Sequence, residues 1–182
     1  GGGKSALAYK VAHELVKSGQ FKYIISNIKD VWSDNINDVQ WSENDTLDAV
    51  IILDEGGLFL RFGRDVEEYL TLLRKLNIVV LIPSVLPPSN RVTFFSCQRV
   101  MNLKRVGLPI WVMKWILRYG EVNSEMFFWL NPSEIYGVYD TKAPPNDDAG
   151  VSEWLVEKKE EFAKRAGYSR SGSRRAAVVE SP

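Results

Sequence analysis

The stretch GGGKSALAYKVAHEL, residues 1–15, decides how the rest of the chain is read. A glycine-rich turn, then Lys, a hydroxyl and a helix, is an arrangement in which backbone N–H groups and the positive end of a helix face a phosphate. Gly3, Lys4 and Ser5 fill the last three places of G-x-x-x-x-G-K-S/T, and Gly1 and Gly2 fill the two variable places before them. The pattern's first glycine and the strand that feeds the loop are expected upstream of residue 1. Leu7, Val11 and Leu15, accompanied by Ala8, Ala12 and Val16, recur at helical spacing, so a helix is predicted, with Gly19 where its C-terminal cap belongs. On this reading Gly1, Gly2, Gly3, Lys4, Ser5 and Ala6 hold a nucleotide's phosphates, and Ser5 is also a metal ligand. A flexible linker before an ordinary helix is the alternative.

Composition sets the outer bounds. The chain has 182 residues, 45% of them hydrophobic and 25% charged, enough for one soluble domain with a core. Lys plus Arg and Asp plus Glu each number 23, so no global basic field announces nucleic acid. The lone cysteine, Cys97, has no partner for an internal disulfide and reads as a small core residue. No apolar stretch reaches the roughly eighteen to twenty residues that cross a bilayer, and no signal peptide is visible, so a cytoplasmic location is expected.

Phe21–Ile28, FKYIISNI, is an apolar, β-branched run and predicts a strand. The Asp- and Asn-rich residues 29–48 read as a long loop, with a short edge strand near Val39 to Trp41. Ala49–Gly57, AVIILDEGG, is a continuous apolar strand ending in two carboxylates. In a parallel sheet, buried strands read this way and ligands sit at their carboxyl ends. Asp54 is the expected Mg²⁺ ligand, and Glu55 the residue that orients or deprotonates an attacking water. The alternative is a buried strand that ends in solvated charge. A helix is predicted over Asp65–Asn77, from the stripe Val66, Tyr69, Leu70, Leu73 and Leu76, and a strand over Ile78–Ile82, stopped by Pro83. Right-handed crossovers between these elements give an α/β, three-layer sandwich with a mostly parallel sheet. Ser84 stands at the tip of the strand after the acidic pair; a similarity to the P-loop ATPases that carry a glutamate beside the metal-binding aspartate would imply a γ-phosphate sensor there, and an ordinary strand-ending residue is the alternative.

Taken together, the Gly-Lys-Ser string, YIISNI, VIILDEGG and LLRKLNIVVLIPS resemble the Zot-like family, which comprises zonula occludens toxin and the filamentous-phage morphogenesis ATPases. That family is related to the FtsK/HerA group of DNA-translocating and DNA-packaging ATPases. Its members often end a strand in Thr-Asn or Ser-Asn, where Ser26 and Asn27 stand. They often carry Arg-x-x-Gly/Asn before the fourth strand, where Arg74 to Asn77 stand, and a closing strand similar to Ile135–Thr141. The resemblance covers residues 1–142 and implies a P-loop NTPase fold, ATP and Mg²⁺ as cofactors, ATP hydrolysis, and a role in virion assembly, DNA packaging or DNA export. It implies a homo-oligomeric ring, DNA or phage assembly proteins as partners, and association with the inner membrane through segments outside this sequence. The family usually places Gln at the tip of the fourth strand, and Pro83 and Ser84 depart from that. A nucleotide-dependent switch or scaffold with little turnover is therefore the alternative function.

Ring ATPases need an arginine presented across the subunit boundary to stabilise charge on the transferred phosphoryl group. Arg91, whose loop leaves the catalytic edge, is the choice here. Arg61, Arg64 and Arg74 are competing candidates, with solvated surface charge the alternative for Arg74. Residues 108–131 predict a β-hairpin with EVNS at the turn, carrying Trp111, Trp115, Tyr119, Phe127, Phe128 and Trp129 interleaved with Lys114 and Arg118. These aromatics fit cross-strand packing or a subunit contact, and also base stacking on single-stranded DNA. His13 reads as solvated, no His/Cys cluster supports zinc, and no nucleophile elbow supports a Ser-His-Asp hydrolase. Beyond residue 142 the chain divides into a Pro-rich linker, a charged helix over Val151–Ala166 that docks on the domain or on a partner, and a polar tail over Ser169–Pro182.

Overall fold

The computed structural model describes residues 3–55, 72–84, 99–105, 110–117, 122–129, 137–138 and 150–167. Gly1, Gly2, Arg61, Arg64, Arg91, Cys97 and the tail lie outside them, as do the closing strand over residues 135–141 except Gly137 and Val138, and the first part of the helix expected over 65–77.

Helix α1 (Lys4–Lys17) leads into β1 (Tyr23–Ser26), a 3-10 turn (Ile36–Asp38), β2 (Ala49–Ile52) and β3 (Ile78–Leu81). The three strands form one parallel sheet with β2 in the centre. Each strand is four residues long, shorter than its apolar run, and backbone bonds continue past the ends, as from Leu53 N to Leu81 O at 2.9 Å. The period-two geometry of a strand divides its side chains between two faces, and each face has its own core. Tyr23, Ile25, Ala49, Ile51, Leu53 and Ile78 pack with Leu72, Leu73 and Leu76. Ile24, Val50 and Ile52 pack with Ala8, Tyr9 and Ala12 of α1. The chain is thus an α/β fold with helical layers on both faces of a small parallel sheet, an arrangement common to Rossmann-like and P-loop folds.

Two further helices, α2 (Val151–Glu157) and α3 (Lys159–Arg165), complete the first face. Val151, Leu155 and Phe162 are buried in the same cluster as the strands, so the charged C-terminal segment docks on the domain. Lys158 separates what the sequence predicts as one helix. Trp41, partly buried, meets the Phe162 ring edge-on at 5.7 Å, donates its indole N–H to Glu161 Oε1 at 2.8 Å, and lies under the Arg165 guanidinium at 4.3 Å. This packing explains why Val39 to Trp41 do not form the expected edge strand: their apolar side chains are drawn onto the core rather than into a ladder. The outer edge of β1 is met instead by Asp34, whose backbone N–H donates to Ile24 O and whose carboxylate accepts from Ile24 N.

Asp48 and Asn77, each just before a strand, have φ of 53° and 54°. Gly, Asn and Asp visit this left-handed region more readily than other residues, which suits Asp48 and Asn77 to these two positions. Asn77 Nδ2 donates to Asp48 Oδ1 at 2.7 Å, joining the two strand entries.

A second sheet is an antiparallel meander of β4 (Arg99–Arg105), β5 (Ile110–Leu117) and β6 (Val122–Trp129). The predicted hairpin is its β5–β6 half. Val122, Asn123 and Ser124 lie in the strand rather than at the turn, where a register irregularity at Trp115/Ile116 accommodates them. Trp111 stands opposite Phe128 in the register, and β4 is a strand that the weak apolar alternation of Arg99–Arg105 did not announce. Among the described residues, no helix is long and apolar enough to cross a membrane.

Candidate functional site

The site is built where the start of α1 meets the end of β2. Gly3 caps α1 in the left-handed conformation, φ 75° and ψ 12°, which a residue without Cβ adopts at no steric cost. Its carbonyl accepts the first helical bond from Leu7 N at 2.9 Å. The amides of Lys4, Ser5 and Ala6 then precede any intrahelical acceptor, and no acidic residue occupies the first turn. The helix end therefore presents N–H groups, a lysine and a hydroxyl with nothing anionic on its own turn to oppose an anion.

Asp54, two residues past β2, faces this end. Ser5 Oγ donates to Asp54 Oδ1 at 2.7 Å, so the two residues assigned to one metal from sequence are in contact. Burial pushes the Asp54 carboxyl above its ordinary value; the Ser5 hydrogen bond pulls it back, the Glu55 charge raises it further, and the Lys4 charge lowers it. A hydroxyl and a carboxylate at one point are hard oxygen donors that suit Mg²⁺, which takes one or two protein oxygens together with phosphates and waters. The described residues hold no group of three or more His, Cys, Asp or Glu that would form a dedicated protein cage.

Glu55 turns the chain away from β2 with φ 49°, a conformation that glutamate adopts at a cost. Its amide donates to Pro83 O at 2.9 Å, so residues 54–55 run beside residues 83–84. Ser84 thus lies at the same edge of the sheet as Asp54 and Glu55, three residues past β3.

Beneath the site lie Asn27, singled out in the sequence only as a strand-ending residue without a role, and Tyr9 and Asp30, which the sequence did not single out. Asn27 is fully buried and clamps the Asp54 backbone from both sides: its Nδ2 donates to Asp54 O at 3.0 Å, and its Oδ1 accepts from Asp54 N at 2.8 Å. Tyr9, also fully buried, shares a 2.6 Å hydrogen bond with Ser26 Oγ and donates to Asp30 Oδ2 at 2.9 Å. Burial holds the Tyr9 hydroxyl well above the usual tyrosine range, so it stays protonated. Asp30 also accepts from the amides of Trp32 and Ser33, which fixes the loop after β1. Tyr9 is buried beside Ala8 and Ala12 of the predicted stripe, and a tyrosine next to that row, needing a partner for its hydroxyl, was the signal available in the sequence. His13 is not simply solvated: it stacks on Trp32 with ring centroids 4.5 Å apart, and its Nδ1 is buried without a hydrogen-bond partner.

No protein-family model matches the chain, and no curated protein or solved structure matches it either.

Proposed function

We propose that this chain binds ATP with Mg²⁺ and hydrolyses it, as a P-loop NTPase of phage or mobile-element type that acts in virion assembly, DNA packaging or DNA export. The observation that carries the reading is the Ser5–Asp54 hydrogen bond. It joins a glycine-capped helix N-terminus to an acidic strand end, at the edge of a parallel sheet where ligands bind. In this reading the amides from Gly1 to Ala6 cradle the phosphates and the Lys4 ammonium lies against their oxygens. Ser5 and Asp54 hold Mg²⁺, whose charge offsets that of the phosphates. Glu55 accepts a proton from the water that attacks the γ-phosphorus, and ADP leaves with its oxygen on the β-phosphate. Ser84 reports on the γ-phosphate, and Arg91 of a neighbouring copy in a ring stabilises the developing charge. DNA, or the assembly proteins of a phage, would be the partner moved by the ring, with membrane attachment supplied by segments outside this sequence.

The alternative, a switch or scaffold that binds ATP with little turnover, is favoured by Pro83–Ser84 standing where the similar ATPases carry Gln. Calorimetry with Mg-ATP and a DNA-stimulated ATPase assay on the full-length protein separate the outcomes. Stimulated turnover that disappears in Glu55→Gln supports the motor, and tight binding without turnover selects the switch. Absence of Mg-ATP binding, or binding unaffected by Lys4→Ala, overturns both.

A further inference from the structure

The dipeptide Ser26-Asn27 ends β1, yet each of its side chains is spent on a different half of the candidate site. The Ser26 hydroxyl points to the α1 face, where it meets the Tyr9 hydroxyl at 2.6 Å and also accepts from Ile28 N at 3.1 Å. Tyr9 lies on the helix that carries Lys4 and Ser5, just over one turn further on. Asn27 instead reaches the neighbouring strand, and its amide takes both the N–H and the C=O of Asp54. Both residues are buried, Ser26 at 3% and Asn27 at 0% exposure, so neither is placed to touch a ligand itself. Asn27 N also donates to Ile52 O at 3.1 Å, which seats the clamp on the β1–β2 ladder.

We infer that Ser26 and Asn27 are positioning residues: together they set the separation of Ser5 and Asp54, Ser26 by tethering α1 through Tyr9 and Asn27 by clamping the Asp54 backbone. The inference rests on the proposed nucleotide site. Asp54 has left the β-ladder, so the bonds it would have made to a neighbouring strand are supplied by one amide side chain. Without that amide, its peptide would have to find other partners or leave two backbone polar groups unsatisfied, and the carboxylate would lose its aim at Ser5. Partners that orient a metal ligand without touching the metal are worth about 10–100-fold in metal affinity.

The test is Mn²⁺ binding in the presence of ADP, followed by electron paramagnetic resonance on the full-length protein, together with ADP affinity measured in EDTA. Asn27→Ala is expected to weaken Mn²⁺ binding by about 10–100-fold while metal-free ADP affinity stays the same. Ser26→Ala is expected to weaken both, because it loosens the helix that carries Lys4, and Ser26→Thr, which keeps the hydroxyl, is expected to restore both. A purely structural role would lower the melting temperature of Asn27→Ala and leave Mn²⁺ affinity at the wild-type value, and that result overturns the inference while leaving the nucleotide site standing. Should Asn27→Ala not fold, Asn27→Ser is read in the same way. Amide exchange at Asp54 in the wild type gives an independent check, since rapid exchange there contradicts the clamp. If the wild type itself shows no metal-dependent ADP binding, the nucleotide reading fails and this inference with it.

Discussion

Ser5 and Asp54 are 49 positions apart in the chain and share a 2.7 Å hydrogen bond across the end of the sheet. The bond relieves part of the cost of a half-buried carboxylate, whose proton affinity burial has raised. The sign of the pH dependence follows. Below the ordinary aspartate value both folded and unfolded chains hold the proton, so Asp54 contributes nothing to pH dependence. As pH rises from there towards the raised folded value, the unfolded chain releases its proton first, and stability falls. Asp54→Asn removes that fall. Its melting temperature in ligand-free buffer at neutral pH should exceed the wild type's by about 2–4 °C for each kcal/mol recovered, and the two curves should converge in acid. A variant less stable than wild type at every pH would contradict this.

Glu55 occupies a left-handed backbone position at φ 49°. A residue with a Cβ pays on the order of 1 kcal/mol there. Glu55→Gly should therefore gain stability of that order in urea denaturation, yet lose turnover together with the carboxylate. Glu55→Gln should keep the wild-type stability and still lose about 10²–10⁴-fold in turnover. Equal activity losses in two variants of different stability would separate the chemical role of Glu55 from its conformational cost.

The sequence showed the parallel strands more readily than the layer that covers them. Ile24–Ile25, Val50–Ile52 and Ile78–Leu81 are continuous apolar runs because both faces of the sheet are buried, and such runs are visible without any knowledge of neighbours. The Gly3-Lys4-Ser5 and Asp54-Glu55 strings were legible for a similar reason, each being a local pattern. Their convergence on one metal was expected as well, but the side chains beneath it were not, since the Asn27 and Tyr9 hydrogen bonds span 27 and 17 positions. The C-terminal helices illustrate the same limit: charged letters dominate Val151–Arg165, and only the tertiary structure shows that Val151, Leu155 and Phe162 close the core. The supposed strand near Trp41 failed because an indole with a distant partner, Glu161, outweighed local β-propensity.

Asn77 tests how much of the fold depends on a strand entry. It combines φ 54° with a 2.7 Å bond to Asp48. Asn77→Gly keeps the conformation and loses only the side-chain hydrogen bonds, that to Asp48 and a longer one to Gln20 O at 3.4 Å, whereas Asn77→Ala loses both the bonds and the favoured conformation. The glycine variant should cost about 0.5–1.5 kcal/mol, and the alanine variant roughly 1–2 kcal/mol more, measured as midpoints of chemical denaturation. The reverse order would show that the left-handed backbone is not what selects Asn at this position.

Phe162 tests whether the C-terminal helices belong to the domain. Its ring is fully buried, with Trp41 and Trp154 each meeting it edge-on at 5.7 Å. Truncating a buried phenylalanine costs about 3–5 kcal/mol, a large share of the roughly 5–15 kcal/mol that holds a domain together. Arg165→Ala, by contrast, removes partly exposed ion pairs with Asp45 and Glu161 and a guanidinium lying over Trp41, together worth on the order of 1 kcal/mol. Phe162→Ala should therefore shift the whole unfolding transition as one cooperative step, and Arg165→Ala should barely move it. If Phe162→Ala instead melted the C-terminal segment alone while the sheet unfolded at its original midpoint, the helices would be a separable appendage. Single-transition loss would make them the third layer that keeps Leu72, Leu73 and Leu76 dry beneath the site.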